Sequence, residues 1–169
     1  VTARPDGVLR RQGDGAELRF VRRLPQPPER VWRAVTDPAE LAVWFPQTVT
    51  GRFEVGARLT FSSAEGPDFE GEVLAVDPPR LLSFTWGPDV LRLELRAVEG
   101  GTELTFTDRF AQWGKAARDG AGWHVCLDRL GRQLGDGGDA ATWAGIHPGY
   151  VARFGPEAAA VGPLRTPDA

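Results

Sequence analysis

The chain has a single cysteine, no methionine, one tyrosine, two histidines and, among its 20 basic residues, one lysine, Lys115. One cysteine closes no internal disulfide, so Cys126 excludes the disulfide-stapled secreted class and points to a reducing compartment. His124 and His147 stand without any CxxC or HxxxH spacing, which leaves no set of three or four zinc ligands, and no metal is expected. Neither GxGxxG after a strand nor GxxxxGK[ST] occurs, so no nucleotide cradle is indicated, and no cofactor is expected. No apolar run approaches the roughly 20 residues of a membrane helix, and Val1–Asp6 holds no apolar signal segment. No membrane insertion and a cytoplasmic location are the expectations. An excess of one charge is also missing: 20 basic against 23 acidic residues give a net charge of −3, which favours neither a phosphate backbone nor an anionic lipid surface. No nucleic-acid partner is expected.

What is present reads as one soluble α+β domain over residues 1–154, with an Ala- and Pro-rich tail, 155–169, expected to be disordered. Val8–Gln12 and Glu17–Leu24 alternate around Gly13-Asp14-Gly15 as a hairpin. Pro25-Gln26-Pro27-Pro28 ends the strand, and Pro28 fits the first turn of a short helix carrying Val31, Trp32 and Val35. In Thr36-Asp37-Pro38-Ala39-Glu40, Asp37 can cap a second helix, Pro38 can sit at N1 and Glu40 can close a capping box; Pro46 stops that helix after Leu41, Trp44 and Phe45.

From Thr48 to Phe110 the period is two, with strands expected at 47–53, 57–63, 69–77, 81–86, 90–97 and 102–110. Leu91, Leu93 and Leu95 share one face of their strand; Arg92, Glu94 and Arg96 share the other, which identifies a sheet with one wet side. Period 3.6 then runs from Lys115 to about Leu134, the longest helix, where Gly120 and Gly122 mark a kink or a close approach. Residues 140–154 are expected to add short helices docking by Trp143, Ile146, Tyr150 and Phe154. A sheet of this many strands twists and curls, and the long helix can lie across its concave face, leaving an apolar cavity between them.

The run Glu29–Phe45 resembles the signature of the SRPBCC superfamily, whose START-like and birch-pollen-allergen-like members share the helix-grip fold; within it the similarity is greatest to the small proteins that resemble the C-terminal domain of the activator of heat-shock-protein ATPase (Aha type). Gly71–Trp86, Gly101–Thr107 and Gly122–Leu130 extend the resemblance, which covers roughly residues 7–154. It implies a curved antiparallel sheet wrapped around a long C-terminal helix, with two short helices after the first strands, and a hydrophobic pocket. The superfamily includes lipid and hormone binders, cyclases, dehydratases and chaperone modulators, so the fold alone names no reaction.

Ligand sites are mostly apolar with a few placed polar groups. The expected ligand-binding residues are Trp44, Phe45, Phe61, Phe84, Trp86, Leu93, Phe106, Trp123, His124 and Leu127, with His124 orienting a polar ligand group and Arg92 facing water. His124 and Asp128, four apart on one helical face, could form an oriented general base, but a surface pair or an edge-packed histidine explains the spacing better. Cys126 points elsewhere on the helix, and no catalytic residue is assigned. The reading is a domain binding a small hydrophobic molecule without defined catalysis. A polyketide-type cyclase or dehydratase and a chaperone ATPase-modulating module are the alternatives. Edge strands are compatible with a homodimer, and the outer sheet face with a protein partner.

Overall fold

The computed structural model describes residues 4–163. β1 (Val8–Gln12) and β2 (Gly15–Leu24) form the expected hairpin, followed by α1 (Pro28–Thr36) and α2 (Pro38–Trp44). Then come β3 (Thr48–Thr50), β4 (Arg58–Ser63), β5 (Gly66–Asp77), β6 (Leu81–Trp86), β7 (Asp89–Val98) and β8 (Gly101–Phe110). A 3-10 turn, Trp113–Lys115, leads into the long α3 (Ala116–Gln133), and α4 (Trp143–Phe154) closes the helical part. The strands make one antiparallel sheet in the order β1-β2-β8-β7-β6-β5-β4-β3. The hairpin at the start of the chain is thus joined through β2 to the last strand, β8, and α1 and α2 carry the chain from one side of the sheet to its far edge. Among the described residues, no helix is long and apolar enough to cross a membrane.

Local chemistry accounts for the element ends. Asp37 caps α2 by accepting from the backbone N–H of Ala39 (2.9 Å) and Glu40 (3.3 Å). The second half of the expected capping box does not form, because the Asp37 N–H already donates to the Arg33 carbonyl at the end of α1 (2.9 Å). Glu40 turns instead to Arg30, 2.9 Å away. Midway along β5, a Cβ on Gly71 would collide with the Thr85 carbonyl and the Phe61 ring, so only glycine lets β5 pass that close as it turns from β4 to β6.

Gly120 is the close approach expected on the long helix: a Cβ there would meet the rings of Tyr150 and Phe154 at 3.2 Å, so α4 seats directly on α3. Gly122 has open space beside it. The tail differs from expectation. Pro156–Ala159 form a 3-10 turn, Ala158 is fully buried, and the Val161 N–H donates to the Gly114 carbonyl (3.0 Å), so the chain is held to at least residue 161 by apolar docking and a backbone bond. The rest of the expected disordered tail, 164–169, lies outside the described residues.

Candidate functional site

The inward phase of the strands places Phe61 on β4, Phe84 and Trp86 on β6, Leu93 on β7 and Phe106 on β8 against Trp123 and Leu127 of α3. Phe45, at the end of α2, completes the lining. The rings form one contiguous cluster: Trp123 lies 4.7 Å from Phe106, 5.0 Å from Trp86 and 5.7 Å from Phe45 by ring centroids. Phe61 and Phe84 stack at 6.0 Å, and Phe45 touches both. These separations are those of rings in contact, so side chains occupy the space between sheet and helix. The cluster runs outward through the half-buried Phe53, Phe69 and Trp86, with Phe69 5.7 Å from Trp86 and Phe53 5.8 Å from Phe84. The Trp86 indole N–H donates to Gln47 Oε1 (2.9 Å), in the loop after α2.

Trp44 joins through Phe45 (5.6 Å), but its indole N–H donates to the Ala34 carbonyl (2.9 Å), which ties α2 to α1. Leu93 and Leu127 are buried within the same core. His124 is not brought into the ring cluster. Its neighbours are Phe20 and Tyr150, and its Nδ1 lies 2.8 Å from the Tyr150 hydroxyl and 3.1 Å from Asp6. Asp128 does face the imidazole, but at 3.5 Å from Nε2, beyond a good hydrogen bond. Both its oxygens are taken, Oδ1 by Arg22 Nη1 (2.7 Å) and Oδ2 by the Ala141 N–H (2.9 Å). The hydroxyl of Tyr150 also accepts from the Gly7 N–H (3.0 Å), and Arg22 Nη2 donates to Asp6 (2.9 Å). Although burial opposes it, the neighbouring His124 and Arg22 hold the Asp6 carboxyl below its ordinary range. This network straps residues 6–7 across β2, α3 and α4. Arg92 is exposed, as expected.

A second polar cluster, not anticipated, adjoins the aromatic one. Asp89 begins β7, Asp108 lies between Phe106 and Phe110 on the inward face of β8, and Lys115 and Asp119 sit where the 3-10 turn enters α3. Lys115 Nζ donates to both oxygens of Asp89 (2.6 and 2.7 Å) and lies 3.4 Å from Asp119, which also pairs with Arg118 Nε (2.8 Å). The indole N–H of Trp123 donates to Asp108 Oδ2 (2.9 Å), linking the acids to the rings. Asp108 is wholly buried. Burial first, and then the neighbouring Asp89, push its carboxyl well above the ordinary carboxylate range. Burial alone would lower the Lys115 ammonium, but the carboxylates around it raise it overall. Carboxylate oxygens of Asp89, Asp108 and Asp119 lie within 4.8 Å of one another, the spacing of a metal centre. The Lys115 ammonium stands among them as the cation. Cys126 is buried, and its thiol is pushed up to about 12, far from reactive thiolate chemistry.

The missed residues carried a signal. Arg22, Asp89 and Asp108 fall on the inward phase of their strands, in step with Leu18, Phe20 and Leu24, with Leu91 and Leu93, and with Leu104, Phe106 and Phe110. A charge at an apolar phase marks a buried polar group, and Lys115 is the chain's one lysine.

Outside this interior, two shallow depressions lie on the outer sheet face. One, of about 380 Å³, is lined by Asp6, Val8, Arg10, Arg19 and Val21; the other, of about 560 Å³, by arginines and acids including Arg19, Arg80, Arg92, Arg96 and Glu103.

Among solved structures, EF2215 from Enterococcus faecalis, a conserved protein of unknown function, shares 18% identity with a TM-score of 0.75, over 88% of this chain and 90% of that one. MLL2253 from Mesorhizobium loti shares 29% identity at a TM-score of 0.64, over 73% of this chain and 99% of that one. DynU16, a putative protein in the dynemicin biosynthetic locus, also shares 29% identity at 0.64, over 75% of this chain but 49% of its own. No curated protein matches the sequence. The family described as activator of Hsp90 ATPase homolog 1-like protein matches residues 25–135. That stretch runs from the turn before α1 to the end of α3 and holds both the aromatic interior and the acids beside it, and the chain belongs to this family.

Proposed function

We infer that the chain binds a small, largely apolar molecule between the sheet and α3, with Phe45, Phe61, Phe84, Trp86, Leu93, Phe106, Trp123 and Leu127 as its contacts. The observation that carries this reading is the continuity of the ring cluster with the surface at Phe53, Phe69 and Trp86. An apolar ligand takes its place there by displacing a ring. Uncovering one large apolar side chain costs about 1.5–3 kcal/mol, and a ligand of similar area returns that amount. One side-chain hydrogen bond, to Gln47, holds Trp86, and its loss costs only about 1 kcal/mol. The similar DynU16, named for a biosynthetic locus, is consistent with a small-molecule role.

Native mass spectrometry of freshly purified protein beside a denatured sample tests the reading. The expected result is an adduct of small-molecule mass that denaturation removes and whose addition back quenches tryptophan emission. Bare protein, with no quenching by a panel of apolar ring compounds, refutes it. The same spectrum reads monomer against homodimer.

The outer face of β2, β7 and β8 favours a second reading, a protein-interaction module. It carries Arg19, Arg23, Arg92 and Arg96 in excess over Glu94 and Glu103, although the chain as a whole is acidic. Stimulation of a heat-shock ATPase, lost on Arg19→Glu with Arg23→Glu, supports it; no stimulation at saturating protein refutes it.

A further inference from the structure

The outer face of the sheet, away from α3, separates its charges by strand. On β1, β2, β7 and β8 it carries Arg10, Arg19, Arg23, Arg92, Arg96 and Arg109, six arginines against Glu17, Glu94 and Glu103. Glu17 pairs with Arg10 and Arg109, Glu94 with Arg92 and Glu103 with Arg96, so among the described residues Arg19 and Arg23 are left without an acid. The Glu103 carboxyl is held below its ordinary range, first by the hydrogen bond from Arg96 and further by the charges of Arg96, Arg23 and Arg19. The other half of the face reverses the sign. There the β4–β5 hairpin exposes Glu65, Asp68, Glu70 and Glu72 against Arg58 alone, which lies 3.6 Å from Glu70. Each half thus carries a surplus of three charges, positive on one and negative on the other. Between them β6 turns outward only the uncharged Leu81, Ser83 and Thr85, with the exposed Leu74 beside it on β5.

We propose that this face is the interface of a homodimer in solution, with the basic half of each copy on the acidic half of the other. Strand order supplies the symmetry. A half-turn about a line along β6 lays the face on itself and reverses the order β8-β7-β6-β5-β4, so β7 and β8 of one copy come over β5 and β4 of the second. The reciprocal contact forms at the same time, and the assembly closes at two subunits. The register sets Arg19, Thr107, Arg92 and Ser83 in one row across β2, β8, β7 and β6, so Arg19 and Arg92 point the same way, toward the second copy's hairpin. Edge pairing is the poorer route to a dimer. β3 is three residues long, and two β1 strands side by side would bring Arg10 and Arg11 of both copies together. The pairing is electrostatic and does not depend on the apolar-site reading; it uses the same arginines as the second reading but assigns them a different partner.

Sedimentation equilibrium of the full chain tests this. A monomer–dimer equilibrium is expected, weakened at least about tenfold when NaCl rises from about 20 mM to about 500 mM, since exposed charges are screened. Arg19→Glu with Arg92→Glu is expected to be monomeric, and so is Glu70→Arg with Glu72→Arg, because each pair of changes makes both contacts repulsive. Mixed in equal amounts, the two variants are expected to recover a dimer, since their reversed halves answer each other. All four positions are exposed, and thermal midpoints close to the native one show that a lost dimer is not a lost fold. Should either double variant not fold, Arg19→Glu and Glu70→Arg alone are each expected to weaken the dimer at least about threefold. Monomer alone at about 500 μM protein in about 20 mM NaCl overturns the proposal and leaves the face to the partner of the second reading. A dimer that survives the reversals, variants that do not recover on mixing, or species growing beyond the dimer overturn it as well.

Discussion

Lys115→Met removes the cation that bonds Asp89 in the acid cluster while keeping most of its stem. In the native protein the ammonium bonds both oxygens of Asp89 at 2.6 and 2.7 Å, lies 3.4 Å from Asp119 and sits 5.0 Å above the Phe110 ring. Asp89 is 1% exposed, so water cannot take over. Removing one partner of a buried ion pair costs about 3–5 kcal/mol, most of it the isolated charge left behind. For a domain of this size 1 kcal/mol moves the thermal midpoint by roughly 2–4 °C, so a fall of about 6–20 °C is expected at pH 7.5. The sign of the pH dependence follows from Asp89. Without Lys115 its folded-state pKa rises further above the unfolded value. The penalty is then absent below about pH 4, where both states are protonated, and grows as pH rises toward the folded-state pKa. Urea unfolding of variant and native protein at pH 5 and pH 7.5 measures this, and the stability difference at pH 7.5 is expected to exceed that at pH 5 by at least about 1 kcal/mol. A loss below about 1 kcal/mol at pH 7.5, or one equal at the two pH values, refutes the reasoning.

Asp108→Asn tests the buried acid itself. Because the folded-state pKa is raised, the native contribution is complete below about pH 4 and drains as pH rises toward that value, so the variant's stability is expected to fall less steeply between pH 5 and 8; a steeper fall contradicts the direction of the shift. Tyr150→Phe removes the hydroxyl shared by the Gly7 N–H and His124, and is expected to cost about 1–3 kcal/mol in urea unfolding and to speed exchange of the Gly7 amide. Gly71→Ala forces a Cβ into the Thr85 carbonyl and should destabilise by about 1–3 kcal/mol or more, with the loss of hydrogen-exchange protection centred on β5 and β6. Cys126 should resist a thiol-specific aromatic disulfide reagent at pH 8 in the folded protein and react at once in urea, since burial keeps it a thiol.

Much of this was legible before the fold was known, where the physics is local. The alternation of Leu91, Leu93 and Leu95 with Arg92, Glu94 and Arg96 placed β7 and its wet face, because successive side chains of a strand point opposite ways. Asp37-Pro38 located the start of α2 through a cap that depends on neighbouring residues alone. The apolar spacing along α3 marked its buried face, and of the aromatics expected to line the interior all but the half-buried Trp86 are buried. The candidate site was less legible. His124 satisfied every local criterion for a polar group lining the pocket, yet its partners, Asp6 and Tyr150, come from the chain's first residues and its last long helix. Asp108 broke the local pattern, and a pattern break names a residue without naming what compensates it.

The sequence by itself determined the elements, their order and which face of each is apolar, since periodicity, caps and breakers act over a few residues. Only the tertiary structure decided that β2 closes on β8, that the residues after Phe154 dock through Ala158, that rings occupy the interior, and that Asp108 shares its surroundings with Asp89, Lys115 and Trp123. A buried charge is tolerated only if others are carried to within a few ångströms of it. Strand register and the seating of α3 set those distances between residues far apart in the chain.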